Sequence, residues 1–450
     1  MTRALVMCLL CAGSAFADEP SENTEEPDLG PEVARLRADL EASLARERHV
    51  LARLVALERP AIAAQLGFDN GLYLQVSRGK TGPGHSISSR GIFDERPPRA
   101  NVIDTSVPFE LQVGGGVQSR YVGLIRSSLT NQSGFSLARA QLGLRVTTLG
   151  WLEVQALFDF GQEDVALGAA GVVRDVYLDL RPTRWLTIRA GQFKVPLGRE
   201  RLVSGFRLLF PDRSLATRAL TFDRDLGFLA EARLWNDRLR VDAAVTNGAD
   251  ASRSPANDNL DLAYTLRLVA SPLGAMPLDQ GDLARSPSPR LSVGVAAQYS
   301  LVPTDAAPIF SDLNRDGHRD NVELWTAAVE LAFRWRGFAV EGEYLFRHER
   351  HGGGFANRAL HGGYGQLSLA PWRGLVVGVR ASYADFPSTR AGLSLPGVNA
   401  ERGLAAGGLV GYTFFGHALK ALCSYEYRRD TSLAASSDGH QLVVQLQAGF

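Results

Sequence analysis

Residues that could bind an anion are concentrated between positions 196 and 222. They are Arg199, Arg201, Ser204, Arg207, Arg213 and Arg218, with Glu200 and Asp212 among them. A guanidinium group stays charged and offers several donors in one plane, which suits phosphate-like oxyanions. A ring of arginines at a narrow point is also how pores select anions. The alternative is that these arginines pair with nearby carboxylates and only hold the segment in place.

A second group of oxygen ligands lies farther along the chain, between positions 312 and 323. Its members are Asp312, Asn314, Asp316, Asp320 and Glu323, and their spacing around Gly317 matches the calcium-loop pattern over its whole length. Carboxylates on alternate residues can converge on a hard cation if the loop turns sharply, and Gly317 permits that turn. The sequence therefore predicts a calcium loop, with an acidic surface turn as the alternative. It indicates no cofactor that the protein requires.

Catalytic residues form no comparable group. The eight histidines are scattered, and no nucleophile elbow, phosphate loop or glycosidase-like pair of carboxylates stands out. A barrel phospholipase would need a Ser/His/Asn set on one outward face, but nothing places Ser382 and His417 together. We predict that the chain is not an enzyme. Its 48 basic and 48 acidic residues also give no reason to expect a nucleic acid partner.

The first 17 residues have the features of a secretory signal. Arg3 gives a short positive region, residues 4–10 are apolar, and residues 15–17 (Ala-Phe-Ala) fit a small-x-small cleavage site. Two of the three cysteines lie inside this segment, so only Cys423 would remain after cleavage. We therefore predict export, no intramolecular disulfide and no zinc site built from cysteines.

Three further segments precede the main part of the chain. Residues 18–30 are acidic and proline-containing, which predicts disorder. Residues 31–60 have a helical apolar pattern that stops at Pro60. Its members are Val33, Leu36, Leu40, Leu44, Leu51 and Leu54. This pattern indicates a short periplasmic helix, either as a coiled coil that supports oligomerisation or as a lone helix. Residues 61–107 are interpreted as a periplasmic-side entry segment.

From residue 108 to residue 450 the apolar period changes to two. In one segment Ala138, Ala140, Leu142, Leu144 and Val146 alternate with Arg139, Gln141, Gly143 and Arg145. Alternate side chains of a strand face opposite sides, so one face is apolar and the other is polar. Sixteen such segments follow one another, and the clearest run about 10–13 residues, as a tilted membrane crossing requires. Because their residues alternate, mean hydropathy stays near zero, as expected of a transmembrane β-barrel.

The connections between these segments mostly alternate between short and long. The short ones include residues 148–150, 182–183, 236–237, 336–337, 371–372 and 415–416. Short turns on the periplasmic side and long external loops are typical of an outer-membrane barrel. Residues 271–289 break this rule, because a short turn is expected there and the segment is long and proline-rich. Five of the six tryptophans lie at the short turns, where indole rings prefer the membrane interface.

Several motifs in this region resemble the phosphate-selective porin family, porins O and P. Residues 135–145 (FSLARAQLGLR) are similar to the family strand F-x-x-R-R-A-R-L-G-L-R, and residues 174–179 (RDVYLD) to R-D-A-Y-V-D. Residues 191–200 (GQFKVPLGRE) resemble G-Q-F-K-x-P-F-G-x-E, with Leu197 in place of the usual phenylalanine. The family's richness in lysine is absent.

The resemblance implies an all-β fold: an antiparallel up-and-down β-barrel of about 16 strands, exported to the Gram-negative outer membrane. It also implies a homotrimer, and a loop at residues 196–222 that folds inward and narrows a channel for small, phosphate-like anions. Phe450 fits the usual recognition signal for the barrel-assembly machinery. The predicted constriction residues are Lys194, Arg199, Arg201, Ser204, Arg207 and Arg213, and the predicted lumen-wall residues are Arg139, Arg145 and Arg240.

The predicted lumen faces mix both signs of charge, so the sequence does not force anion selectivity. Glu153, Asp179, Glu231 and Glu341 lie on the same faces as the lumen arginines. A general or cation-leaning diffusion porin therefore stays open as an alternative. A barrel without a channel, such as an adhesin or a structural barrel, is a further alternative.

Overall fold

The structure is a computed structural model whose described part contains most of the barrel region. The described residues are 35, 38, 62–68, 72–78, 109–127, 131–149, 151–161, 173–248, 261–303, 321–351, 357–386, 401–431 and 436–449. The chain divides into two units, Met1–Ala61 and Ile62–Phe450. In the first unit only Arg35 and Ala38 are described, and both are helical and exposed. The predicted signal, the acidic segment and Phe450 lie outside the described residues.

The described residues of the second unit form eighteen strands, of which the last sixteen form the barrel. The first two are β1 (Ile62–Phe68) and β2 (Leu72–Arg78). The barrel strands are β3 (Phe109–Arg126), β4 (Gln132–Thr148), β5 (Leu152–Asp159), β6 (Val173–Leu180), β7 (Leu186–Lys194), β8 (Arg224–Leu234), β9 (Leu239–Thr246), β10 (Ala263–Ala270), β11 (Arg290–Pro303), β12 (Asn321–Trp335), β13 (Phe338–His351), β14 (Arg358–Leu369), β15 (Leu375–Phe386), β16 (Glu401–Phe415), β17 (Leu419–Thr431) and β18 (Ser436–Gly449).

Each barrel strand pairs antiparallel with its neighbours in sequence, and β18 pairs with β3 to close the ring. The closing register runs from the pair Gly439 and Arg126 to the pair Gly449 and Gly116. This arrangement confirms the predicted 16-stranded up-and-down barrel. A closed sheet leaves no unpaired edge, which lets the strands satisfy their backbone donors and acceptors inside the membrane.

The hairpin of β1 and β2 continues the sheet past the end of β18. It adds to the first residues of β3, where Leu74 pairs with Val113 and Ser77 pairs with Glu110. These two strands lie within the predicted entry segment at residues 61–107. Among the described residues, no helix is long and apolar enough to cross a membrane.

The period-two pattern places apolar side chains on the outside of the barrel. In β10, Tyr264, Leu266 and Leu268 are exposed, whereas Thr265 and Arg267 are buried in the interior. One prediction from the pattern was wrong: Ala138 is buried instead of facing outward. A β-bulge in the pairing of β3 with β4 adds one residue there and shifts the alternation by one position.

The tryptophans form a belt at one rim. Trp151, Trp185, Trp235, Trp335 and Trp372 are all exposed and lie at the short connections. Trp325 is exposed near the opposite end of β12. The connection at Arg336 and Gly337 is a two-residue turn with positive φ at both positions, 51° and 93°, as tight hairpins require.

The barrel interior is occupied by two chain segments that are not strands. Residues 195–223 connect β7 to β8 and contain helix α1 (Arg199–Leu202), a 3-10 turn (Gly205–Arg207) and helix α2 (Leu215–Leu220). Residues 271–289 connect β10 to β11, on the side of the short turns. We call the first segment the inner loop and the second the floor segment.

Candidate functional site: the inner loop and the lumen wall

The inner loop crosses the lumen and packs against the far wall through apolar side chains. Val195, Leu197, Leu215, Ala216 and Leu220 are buried against inward residues of β11 to β16. Those wall residues are Ala296, Ala328, Leu345, Leu360, Ala384 and Ala405. An inward apolar patch is unusual for a water-filled barrel, and burying it provides the free energy that holds the loop inside.

A second apolar contact fixes the middle of the loop. Leu209 and Phe210 pack on Val376, Leu409 and Leu422, which belong to β15, β16 and β17. Nearby, Lys420 Nζ donates to the carbonyl oxygens of Phe206 and Leu208, at 3.3 and 2.6 Å. The loop is therefore attached by both apolar packing and charge-assisted hydrogen bonds.

Glu200 is the centre of the hydrogen bonds within the loop and is fully buried. Its Oε2 accepts from Ser214 N at 3.0 Å and from Ser214 Oγ at 2.7 Å, and the Ser214 hydroxyl oxygen in turn accepts from Thr217 N to cap α2. Its backbone N–H donates to Glu343 Oε1. Gly198, with φ 87°, precedes α1 and faces Glu343, where a side chain would be strained.

Most of the predicted constriction residues bind the backbone of the infolded segments. Lys194 Nζ donates to the carbonyls of residues 202 and 203, both at 2.9 Å. Arg199 donates to the carbonyls of Pro277 and Asp279, at 2.6 and 3.0 Å. Arg201 and Arg213 also donate to loop carbonyls, and the Ser204 hydroxyl accepts from a backbone N–H. These contacts support the alternative that several of these residues hold the loop in place.

The arginines of the loop differ in exposure: Arg199 and Arg201 are buried, Arg207 and Arg213 are partly exposed, and Arg218 is exposed. Arg207 is partly exposed and lies 3.7 Å from Asp279 of the floor segment. Arg218, on α2, is exposed. Because an ion can reach only an exposed guanidinium, Arg207 and Arg218 have the placement expected of ion-contacting residues.

Asp212 lies among more guanidinium groups than it can neutralise. Its Oδ1 accepts from Arg120 Nη1 at 3.0 Å, and Arg218 and Arg139 also act on it. Burial by itself would raise the pKa of Asp212, but these three arginines hold it below its ordinary value. The carboxylate is therefore ionised, and positive charge remains in excess around it.

Asp223, at the other end of the loop, is also surrounded by arginines. It lies 2.7 Å from Arg174, 2.9 Å from Arg224 and 3.6 Å from Arg201. Burial would raise its pKa, but these arginines and Arg213 lower the pKa of Asp223 well below the ordinary value. Arg120, Arg174 and Asp223 were not among the predicted site residues. Arg120 faces inward in the strand alternation and Asp223 lies at the end of the loop, and these positions could have indicated them. Arg174 is the extra residue of a β-bulge in the pairing of β5 with β6, which the sequence pattern does not reveal.

The three predicted lumen-wall arginines all point inward. Arg139 Nη1 donates to Gln118 Oε1 at 2.6 Å, and a Cβ on Gly205 would lie only 2.6 Å from Arg139 Nε, so a larger residue there would displace the Arg139 side chain. Arg145 donates to Gln155 and lies 3.5 Å from Glu153. Arg240 pairs with Glu231 at 2.8 Å and with Asp242 at 2.9 Å.

Below the loop, on the side of the short turns, β5 to β9 have a pattern in which two arginines share one carboxylate. Asp179 pairs with Arg189 at 2.7 Å and with Arg181 at 3.8 Å. Glu231 pairs with Arg233 at 2.6 Å as well as with Arg240. Except at Glu231, the carboxylates are nearly fully buried and the arginines are partly exposed, so guanidinium groups form most of the charged surface that water can reach.

The predicted calcium loop is not placed by the structure, because residues 304–320 lie outside the described part. Only Glu323 of the predicted ligands is described. It lies on β12, where Oε1 accepts from Trp325 Nε1 at 2.9 Å and Oε2 is 3.4 Å from Arg350. Among the described residues, no cluster of His, Cys, Asp or Glu side chains could hold a metal ion.

Comparison with known proteins agrees with this architecture, that of an outer-membrane β-barrel. The family model of the phosphate-selective porins O and P matches residues 111–303 and confirms, over that range, the family that the sequence motifs indicate. No curated protein matches the chain. With the fold, the family match places the chain in the Gram-negative outer membrane as a channel.

Solved structures with the same fold are distant in sequence. The outer membrane channel DcaP of Acinetobacter baumannii is 12% identical, with a TM-score of 0.50 over 76% of this chain and 97% of that chain. The trimer form of OmpT, an outer membrane protein of Vibrio cholerae, is 10% identical, with a TM-score of 0.50 over 75% of this chain and 99% of that chain. At this identity the likeness concerns the fold alone.

Proposed function

We propose that this outer-membrane channel conducts small anions, phosphate and similar oxyanions among them, by passive diffusion past the inner loop. The observation that supports this proposal is the excess of guanidinium groups at the level of the loop. Seven arginines act on Asp212 and Asp223, and Asp175, which pairs with Arg224, adds one more carboxylate. A net positive zone in the path attracts anions and repels cations.

The chemistry of this zone suits an ion that must also leave. Arginines that share a buried carboxylate stay protonated. The carboxylate nevertheless offsets part of the electric field of each guanidinium group. An oxyanion would therefore bind weakly at several neighbouring positions, which allows it to move from one to the next. Phosphate-like ions fit best because guanidinium presents paired donors to two oxygens at once.

A second candidate is a general diffusion porin with little preference for the sign of charge. The lumen face of β5 to β9 favours this alternative, because its carboxylates, such as Asp179 beside Arg189 and Asp242 beside Arg240, offset much of the arginine charge at a distance. The two candidate functions differ only in whether the excess of guanidinium groups at the inner loop controls the current.

Reversal potentials in planar bilayers under a KCl gradient distinguish them. Arg218→Gln should lower the anion-to-cation permeability ratio several-fold, because removing one charge roughly 7 Å from a path in water changes the permeability of each ion about twofold to threefold, in opposite directions. Asp212→Asn should raise the ratio, because it removes a carboxylate from the same zone. Block of chloride current by added phosphate should weaken in the first variant and strengthen in the second.

Arg350→Gln is the matched control, since Arg350 is an exposed arginine near the end of β13, on the strand face opposite the buried Glu349. Its permeability ratio should stay at the wild-type value. If Arg218→Gln and Asp212→Asn both leave the ratio unchanged, the inner loop is not the filter and the general porin is the better description. The predicted roles of Lys194, Arg199, Arg201, Ser204, Arg207 and Arg213 as anion ligands would then be abandoned.

Two assembly properties belong to the same proposal. A homotrimer is expected from the family, and the trimer form of OmpT shares the fold. Recognition of Phe450 by the barrel-assembly machinery stays a prediction, as does calcium binding at residues 312–323.

A further inference from the structure

The floor segment, where the sequence pattern predicts only a short turn, folds up into the barrel mouth. The N–H of Gln280 donates to the carbonyl of Arg207 at 3.0 Å, and the Gln280 side-chain oxygen accepts from Leu209 N at 2.9 Å. On its other side, the Gln280 carbonyl lies 3.0 Å from His417 Nε2. The floor segment therefore contacts the inner loop from below and reaches the turn between β16 and β17.

Further contacts fix the segment to the wall between β12 and β15. Asp282 Oδ2 accepts from Gly337 N at 2.7 Å, and Arg285 donates to the carbonyls of Ala370 and Pro371. Asp279 pairs with Arg334 of β12. The segment thus crosses the mouth from β10 to β17 and is bonded at each step.

The exposure of charged side chains differs between the two halves of the lumen. On the half above the floor segment, Arg267, Arg347 and Lys420 are only 3%, 2% and 1% exposed. On the other half, Arg189 and Arg233 are 23% and 21% exposed. The exposed guanidinium groups of Arg189 and Arg233 indicate that water reaches the wall at β7 and β8, whereas these basic groups of β10, β13 and β17 are shielded from it.

We propose that the floor segment closes the periplasmic mouth beneath β11 to β17 and confines the ion path to the side of β4 to β9. The inner loop covers the same half from above, and the two segments are joined through Arg199 and Gln280. Arg199 is then a positioning residue that fixes the floor segment to the loop. This inference rests on the chain being a channel and does not depend on the sign of the ions that pass.

Thiol modification of the two halves tests the proposal. In a Cys423→Ser background the chain has no cysteine outside the predicted signal peptide. Ser368→Cys places a thiol at a buried inward site of β14, where a Cβ built on Gly281 of the floor segment lies 3.6 Å from Ser368 Oγ. Thr187→Cys places the matched thiol on β7, opposite Glu231 and less deeply buried.

A charged methanethiosulfonate reagent is added to the channel in a bilayer and the loss of current is followed. Thr187→Cys should be modified with a fall in current. Ser368→Cys should react at least about tenfold more slowly, as expected when a site is reached only through local opening. Equal reaction rates at the two positions would overturn the proposal.

Release of the floor segment supplies the second measurement. Asp282→Ala with Arg285→Ala removes its bonds to the turns after β12 and β14 and leaves every inner-loop residue in place. In that background Ser368→Cys should react as fast as Thr187→Cys, and single-channel conductance should rise. Unchanged conductance together with continued protection of Ser368→Cys would contradict the proposal that the floor segment closes the mouth. Failure of the anion proposal would instead appear only in the reversal potential.

Discussion

Glu200 shows how one buried carboxylate can organise a segment that has little regular structure. Within 195–223 only α1, α2 and one 3-10 turn are regular, so most backbone groups depend on side chains for partners. Glu200 accepts from both the N–H and the hydroxyl of Ser214 and lies 3.8 Å from Arg380. The acid at the end of the family-like motif at residues 191–200 therefore determines where α2 begins.

Glu200→Ala should detach the inner loop without unfolding the barrel. It leaves Ser214 N and the nearby Arg380 without this buried partner, a change that costs about 3–5 kcal/mol when a buried pair is broken. The barrel ladder is untouched, so heat-modifiable migration should persist while channel conductance rises and the loop becomes sensitive to protease.

Glu426→Ala is the control for that variant. Glu426 Oε2 also pairs with Arg380, at 3.0 Å, but Glu426 lies on β17 and is partly exposed. Its removal should change conductance much less. Equal conductance changes in the two variants would mean that Arg380, and not the attachment of Ser214, controls the loop.

At the scale of elements, the long connections on the two sides of the barrel have different physical roles. On the short-turn side, residues 271–289 are the exception, and they are ordered by hydrogen bonds to four other elements. On the opposite side, the connection between β11 and β12 contains the calcium-loop pattern. A loop rich in carboxylates is expected to order only when a cation offsets their repulsion.

Calcium should protect the connection between β11 and β12 from protease. Asp312→Ala with Asp316→Ala removes two of the predicted ligands, so protection by calcium should be lost in this variant and kept in wild type. Digestion is measured on purified channel with calcium and with a chelator. If wild type is cut equally fast in both conditions, the acidic surface turn is the correct interpretation.

For the whole molecule, the alternation of short and long connections predicts the orientation in the membrane. The tryptophan belt lies with the short turns, and an even number of strands brings both ends of the barrel to the same side. Short turns are periplasmic in outer-membrane barrels, so the floor segment is periplasmic as well.

Epitope tags test this orientation in intact cells. Tags inserted near Ala251, Asp312 and Ala391 should be reached by antibody from outside, because they lie in the long connections. A tag at Asn236, in a short turn beside Trp235, should be reached only after the outer membrane is permeabilised. The reverse labelling would invert the barrel and place the floor segment at the external mouth.

The sequence by itself determined the sixteen barrel strands and their order, and it predicts the sides of the membrane. These follow from the period-two pattern and the connection lengths, which are local properties because each strand needs only an apolar outer face. The same local rule failed at Ala138, where a bulge that depends on the pairing with β3 shifts the alternation. It also gave no reason for the inward apolar residues Leu345 and Leu360, which make sense only beneath the inner loop.

Only the tertiary structure decided which arginines face water and what residues 271–289 do. In sequence, Arg199 and Arg218 are equivalent members of one cluster. In the fold, Arg199 donates to carbonyls of a segment about 80 residues away, whereas Arg218 is exposed. The physical reason is that a guanidinium satisfies its donors with whatever acceptors the fold brings near, and backbone carbonyls of distant segments leave no trace in the spacing of side chains.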